Sequence, residues 1–162
     1  MKSIEEIRAM LITEICNNID NINAKTQREY YNELMGDTSF LIAGYLQQEL
    51  EINFQDWNSK KWVDDSLLAR VIQHKKKLSI WGVIIWGVEN HTEQWTEPFY
   101  FDITLNESFT DFTKYTLLFG DLDHPEVTYG EYTVNRNLWG QDYYSNDNWD
   151  PSEQNWRYII IG

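Results

Sequence analysis

The hydrophobic residues of this 162-residue chain change their spacing near residue 77. Ahead of that point, Ile4 and Ile7 open a series with steps of three and four residues, which is the period of an amphipathic helix. Beyond it, Phe99 and Phe101 open a series that alternates with polar residues, which is typical of a strand with one buried face. The change predicts an α+β fold in which N-terminal helices pack on a C-terminal antiparallel β-sheet.

Three stretches of the first half have helical patterns. Ser3 and Glu6 have the spacing of a capping box, and they predict a first helix over residues 4–23. A second helix is predicted from Thr26 to about residue 50, either unbroken or divided in two at Gly36. Another is predicted over residues 64–76, because acidic residues begin that apolar stretch and basic residues end it. The expected total is three or four helices.

The sequence pattern of the second half predicts β-strands. A β-branched and aromatic run over residues 81–88 predicts an interior strand. Further strands are predicted over residues 99–106, 115–120, 127–134 and 157–161. We therefore expect a meander of four or five strands, backed by the helices.

The length fits one domain, residues 1–162, made of a helical layer over residues 1–77 and a sheet with acidic-aromatic loops over residues 78–162. A single cysteine, Cys16, cannot form an internal disulfide and favours a reducing compartment. The acidic start differs from a signal peptide, and no later stretch has the 18 apolar residues of a membrane span. These features predict a cytoplasmic protein that does not span a membrane.

The charge is unevenly distributed between the two layers. Residues 1–77 carry 12 acids and 10 bases, whereas residues 78–162 carry 14 acids and three bases. The second layer also holds 18 of the 25 aromatic residues. Residues 78–162 therefore have a net charge of −11, and the electric field of such a charge repels phosphate backbones and attracts cationic proteins. A basic protein is therefore the expected partner, and direct binding of nucleic acid is not expected.

The sequence contains no motif that we assign to catalysis or to a cofactor. The acidic run around Asp142 to Asp150 fails the spacing of a calcium loop, because Pro151 falls where the turn glycine belongs. No histidine occurs with a second ligand at zinc spacing, and no nucleophile elbow or phosphate-binding loop is found. Glu93, Glu97 or Asp102 near Trp95 suggests sugar chemistry, but such pairings are expected by chance in a half so rich in acids and tryptophans.

The remaining candidate is a surface of carboxylates and aromatic rings. Tyrosine and tryptophan bury a large area for few immobilised bonds, and nearby carboxylates can pair with Lys and Arg of a partner. The predicted partner-binding residues are Asp121, Asp123, Glu126, Glu131, Tyr132, Asp142, Tyr143, Tyr144, Asp147, Trp149 and Asp150. The alternative is that the rings fill the core and the acids form a solvated face.

In size, acidity and tryptophan content, with no catalytic motif, the chain resembles the immunity proteins of bacterial polymorphic and contact-dependent growth inhibition toxin systems. The resemblance implies a protein that binds a cognate, basic, nuclease-type toxin domain and blocks its active site. Two other readings stay open: a small-ligand or carbohydrate-binding protein with a tryptophan-lined cleft, and an enzyme that uses His91 or His124 with neighbouring acids.

Overall fold

A computed structural model describes residues 2–24, 40–89, 94–120, 122 and 156–162. In this part of the chain, three helices precede a five-stranded antiparallel sheet, so the predicted α+β class is confirmed. The helices are α1 (Ile4–Ala24), α2 (Phe40–Asn53) and the single turn α3 (Trp57–Lys60). The strands are β1 (Lys61–His74), β2 (Lys77–Val88), β3 (Gln94–Leu105), β4 (Phe112–Phe119) and β5 (Tyr158–Ile161).

Helix α1 begins at the predicted capping box. The Glu6 amide donates to Ser3 Oγ at 3.2 Å, and the Ile7 amide donates to the Ser3 carbonyl oxygen at 3.0 Å. These bonds satisfy amides that a helix start otherwise leaves without partners. Leu11 and Ile15 belong to the apolar stripe of α1 and lie in the core, where each is 1% exposed.

The sheet is a meander, because its strands pair in chain order from β1 to β5. The predictions for residues 81–88, 99–106, 115–120 and 157–161 are confirmed as β2, β3, β4 and β5. Strand β2 pairs on both sides, as an interior strand does, and its residues from Gly82 to Gly87 are all buried. The strand predicted over residues 127–134 and the helix start at Thr26 lie outside the described residues.

The predicted helix over residues 64–76 is wrong, because strand β1 occupies this stretch. Its pairing with β2 shifts register between Val63 and Asp65 and again between Leu68 and Arg70. Such bulges put an extra residue in one strand and break the two-residue alternation. Leu68 and Val71 pair with residues on the same face of β2 and are both fully buried, and their separation of three residues imitates a helix.

The boundary between the helical and sheet layers is corrected by the same finding. The sheet begins at Lys61, so the helical layer ends at residue 60 and not at 77. The tight turn between β1 and β2 consists of Lys75 and Lys76, since His74 pairs with Lys77. Lys75 has a φ of 56°, a conformation for which glycine or asparagine is the usual choice. This hairpin therefore lacked the sequence signal that marks most hairpins.

The helices cover one face of the sheet. On that face, Tyr45 of α2 stacks on Phe101 of β3 with ring centroids 5.6 Å apart. Phe112 of β4 meets both rings edge-on, at 5.9 Å from Tyr45 and 5.7 Å from Phe101. Edge and stacked contacts of this kind add to the stabilisation that burial of the rings provides. Part of the aromatic content of residues 78–162 is thus core.

Replacing Lys75 with glycine should stabilise the fold. Glycine adopts a positive φ without the clash that a Cβ introduces, so Lys75→Gly should raise the free energy of unfolding by about 1 kcal/mol. The melting temperature would then rise by roughly 2–4 °C for a chain of this size. Lys75→Ala is the matched control, because it removes the same charge and keeps the Cβ. An equal rise in both variants would assign the effect to charge.

Candidate functional site

Two regions of the described chain bring polar side chains together in or beside the core. One is a buried cluster around Glu49, where α1, α2 and β4 meet. The other is a cleft beside α3, at the end of the sheet where β1 and β5 begin. We call that end the cleft end. The opposite end carries the Lys75–Lys76 turn and the loop of residues 106–111, and we call it the hairpin end.

The Glu49 carboxylate accepts hydrogen bonds from two phenols. Tyr45, one helical turn earlier in α2, donates to Oε1 at 2.7 Å. Tyr115 of β4 donates to Oε2 at 2.7 Å. Glu49 is only 1% exposed, and a carboxylate buried so deeply needs such donors in place of water.

Arg8 of α1 supplies the positive charge of the cluster. Its Nη2 lies 3.5 Å from Glu49 Oε1, and its Nη1 lies 3.7 Å from Asp111 Oδ1. The guanidinium also lies over two rings, at 5.2 Å from the centroid of Phe112 and 5.4 Å from that of Tyr115. Arg8 therefore balances the buried charge and connects α1 to the start of β4.

The backbone of Gly162, the residue that follows β5, holds Tyr115 in position. The Tyr115 amide donates to the Gly162 carbonyl oxygen at 3.0 Å, and the Gly162 amide donates back at 2.9 Å. A Cβ on Gly162 would overlap the Tyr115 ring, so glycine permits this close approach. The orientation of one phenol toward Glu49 thus depends on the pairing of β4 with β5.

The cluster keeps both phenols protonated. Burial, together with the hydrogen bond to Glu49 and its charge, raises the pKa of Tyr115 to about 12. Burial and the Glu49 charge also raise the pKa of Tyr45 above its ordinary value. Both hydroxyls remain donors at neutral pH, and the carboxylate that they hold is out of reach of a substrate. The cluster therefore connects the helices to the sheet through hydrogen bonds and an ion pair.

The cleft has a volume of about 340 Å³, and that size suits a small ligand. Five consecutive residues, from the end of α2 to the start of α3, form part of its wall. The side chain of Lys61 and residues on either side of the segment 123–155 complete it. The lining residues are Asn53, Phe54, Gln55, Asp56, Trp57, Lys61, Leu122 and Tyr158. It combines aromatic rings with amides and a carboxylate.

A hydrogen-bonded framework fixes the inner wall of the cleft. Gln47 Oε1 accepts from the Trp57 indole at 2.9 Å and from the Val63 amide at 2.7 Å. Lys61 Nζ donates to the Leu122 carbonyl oxygen at 3.0 Å and lies 5.9 Å from the centroid of the Trp57 ring. Trp57 is 2% exposed, so its ring belongs to the wall and offers a ligand little open surface.

Asn53 joins the cleft to the buried cluster. Its Nδ2 donates to the Glu49 carbonyl oxygen at 2.7 Å and lies 3.5 Å from Glu49 Oε2. Tyr45, Glu49 and Asn53 are spaced four residues apart and share one side of α2. The same helix face thus stabilises the core and contributes one wall of the cleft.

The partner-binding residues predicted from sequence all lie outside the described residues, in the range 121–150. Their role stays a prediction. His91 and His124 also lie outside the described residues, and His74 is exposed at the end of β1. Glu97 and Asp102 are five residues apart on β3, on opposite faces of the sheet, so they do not form one carboxylate pair.

The Glu49 cluster was missed at the sequence level, although two signals pointed to it. Arg8 lies four residues after Ile4 and three before Leu11, which places a charge inside the apolar stripe of α1. Tyr45 and Glu49 have the spacing of neighbours on a helix. A charge in an apolar stripe and an acid in an apolar helix together indicate a buried ion pair. The Tyr115 contact is 66 residues away in sequence and has no local signal.

Comparison of the chain with known protein families, with characterised proteins and with solved structures finds no match. Within the described ranges, no three histidine, cysteine or acidic side chains are grouped as a metal site requires. No helix of the described part is long and apolar enough to cross a membrane.

Replacing Glu49 with glutamine should destabilise the fold strongly. The amide is isosteric but leaves the Arg8 guanidinium without its buried counter-charge, so we expect a loss of roughly 2–4 kcal/mol in the free energy of unfolding. Urea denaturation at pH 7 measures this loss. Glu107→Gln is the control, because its carboxylate is 89% exposed and pairs with Lys76 at the surface. Its loss should stay below about 1 kcal/mol.

The raised pKa of Tyr115 predicts a loss of stability in strong alkali. The folded pKa is about 12, and the unfolded pKa is about 10. The folded chain therefore keeps a proton that the unfolded chain releases, so this contribution is complete below pH 10 and is lost as the pH rises through 12. Between pH 10 and 11.5, the free energy of unfolding should fall less steeply in Tyr115→Phe than in the wild type. Equal slopes would contradict the assignment.

Proposed function

We propose that the protein is an immunity protein, which binds and neutralises a cognate basic toxin domain of the nuclease type. The observation that carries the proposal is the concentration of negative charge and aromatic residues in one segment. Residues 121–155 hold eight acids, one arginine and six aromatic residues. We call this stretch the acidic segment.

The described scaffold supports the proposal through residues at the two ends of the acidic segment. Leu122, the second residue of the segment, lines the cleft, and so does Tyr158, which follows the segment by three residues. Tyr158 pairs with Phe119 across β4 and β5, so the chain leaves the sheet and returns to it at the cleft end. A sheet held by the Glu49 cluster gives the two flanks of the segment a fixed base.

The proposed mechanism is competition with the substrate of the toxin. Carboxylates of the acidic segment would occupy the positions of substrate phosphates, and its aromatic rings would stand where bases stack. The charge would also accelerate capture, since electrostatic steering raises association rate constants to about 10⁸–10⁹ M⁻¹s⁻¹ at low salt. Rapid capture protects a cell that contains the toxin.

A second candidate function is the binding of a small neutral polyhydroxyl ligand such as a sugar, and the cleft favours it. Phe54 and Tyr158 meet edge to face with ring centroids 5.4 Å apart. Asn53, Gln55 and Asp56 add amide and carboxylate groups around these rings. Rings beside convergent polar groups are the usual composition of a small-ligand pocket.

The test is capture of the partner by the purified, tagged protein, from lysate of its own organism and with the product of the neighbouring upstream gene. The immunity proposal requires one basic protein whose toxicity is neutralised on co-expression. Reversing the charge at Asp142, Asp147 and Asp150 together should then slow association about tenfold at 50 mM salt and flatten its salt dependence.

The matched control reverses three exposed acids elsewhere, Glu5, Asp20 and Glu107, and changes the net charge by the same amount. It should slow association much less, because these acids lie away from the acidic segment in sequence. Equal slowing by both variants would contradict the assignment of the binding surface. If no protein is neutralised, and a sugar raises the melting temperature and changes tryptophan fluorescence, the cleft function replaces the proposal.

A further inference from the structure

Phe109 has a backbone conformation and an exposure that the fold itself does not favour. Its φ is 58°, in the left-handed region that a Cβ disfavours, and its side chain is 43% exposed. Glycine or asparagine is the usual residue in this conformation. Local conformation therefore does not account for phenylalanine at this position, and the exposed part of its ring is open to a partner.

The loop that carries Phe109 is held in one shape by Asn106. The Asn106 side-chain oxygen accepts from the Thr110 amide at 2.8 Å and from the Asp111 amide at 3.2 Å. The Phe109 amide donates to the Asn106 carbonyl oxygen at 3.1 Å, and the Asn106 amide donates to the Asp111 carbonyl oxygen at 2.9 Å. An exposed ring on a preorganised loop binds at a lower entropic cost than one on a flexible loop.

Neighbouring elements fix this loop at the hairpin end. Glu107 forms an ion pair with Lys76 of the β1–β2 turn, and the Leu105 amide donates to the Lys76 carbonyl oxygen at 2.8 Å. Asp111 faces Arg8 of α1. Lys75 and Phe109 are the two non-glycine residues with positive φ in the described part of the chain, and both lie at this end.

The hairpin end carries an excess of positive charge. Lys76 and Lys77 are paired with Glu107 and Asp102. Lys75 and Lys114 are exposed and form no ion pair with any described residue. This excess is local, on a chain whose net charge is −13. A partner at this end would be complementary if it presented carboxylates.

We propose that Phe109 is the aromatic anchor of a protein interface at the hairpin end, and that its partner has an apolar pocket edged by acidic side chains. Aromatic anchors that enter a pocket dominate the energy of many interfaces, and the surrounding charges select the partner. This interface is independent of the proposed immunity function, because the acidic segment leaves the sheet at the opposite, cleft end.

Photo-crosslinking in cells of the protein's own organism identifies the partner. Phe109→p-benzoylphenylalanine places the probe at the anchor. Ile52→p-benzoylphenylalanine is the control, because Ile52 is 70% exposed on α2. We expect one protein adduct at position 109, identified by mass spectrometry, that is absent at position 52. No adduct, an adduct common to both positions, or adducts with lipid alone would overturn the proposal.

Two variants of the full chain then separate binding from folding. Phe109→Gly removes the ring and the steric conflict, and the lost burial of the ring opposes the conformational gain, so it should weaken the affinity for the purified partner at least tenfold with little change in the melting temperature. Phe109→Ala removes the ring and keeps the Cβ, so it should weaken binding equally and lower the melting temperature. An unchanged dissociation constant in Phe109→Gly would overturn the proposal, whatever the melting temperature.

Discussion

The arrangement of the described chain depends on the buried carboxylate of Glu49. Tyr45 and Tyr115 donate to its two oxygens, and Arg8 provides the counter-charge. A carboxylate in this position would be strongly unfavourable without these partners, so α1, α2 and β4 must come together for it to be buried. The same contacts reach β5 through the pairing of Tyr115 with Gly162. One polar centre therefore relates both long helices to the last two strands.

The Glu49 cluster lies between the cleft end and the hairpin end of the sheet, and these two ends carry different side chains. At the cleft end, Phe54 and Tyr158 stand beside amides and a carboxylate, next to the residues that flank the acidic segment. At the hairpin end, a preorganised loop presents Phe109 near Lys75 and Lys114, which form no ion pair within the described ranges. The α2 face that carries Glu49 continues to Asn53 in the cleft, and Arg8 contacts Asp111 at the base of the loop. The cluster thus supports both ends without itself being open to a ligand.

The parts of the fold that sequence could predict are those with local and regular signals. Helix α1 has a capping box and an apolar stripe, and β2 to β5 have alternating or β-branched patterns, so each was found near its observed position. Strand β1 could not be found in this way, because the bulge between Leu68 and Arg70 places Leu68 and Val71 on one face at helical spacing. The turn after β1 could not be predicted either, because Lys75 has a positive φ, and the usual sequence sign of that conformation is glycine or asparagine.

The candidate sites also differ in how far local sequence signals reveal them. Arg8 and the Tyr45–Glu49 pair have helical spacings that a search for charges in apolar stripes would detect, whereas Tyr115 joins them from β4 by a contact that only the fold creates. The cleft joins the end of α2 to residues more than 60 positions later, so no sequence window contains it. The acidic segment is the reverse case: its composition is plain from sequence, and it lies outside the described residues.

The two left-handed residues can be compared by what the fold gains from each. A left-handed non-glycine residue costs about 1–2 kcal/mol, against a total stability of about 5–15 kcal/mol for a typical domain. At Lys75 the conformation closes a two-residue turn between β1 and β2, and the long pairing of those strands offsets its cost. At Phe109 the hydrogen bonds that hold the loop come from Asn106 and the backbone, and they would form equally with glycine. The part of the ring that is buried packs against the fold, and the residue is 43% exposed. The exposed part of the ring adds nothing to folding, and the proposed contact outside the chain gives it a role.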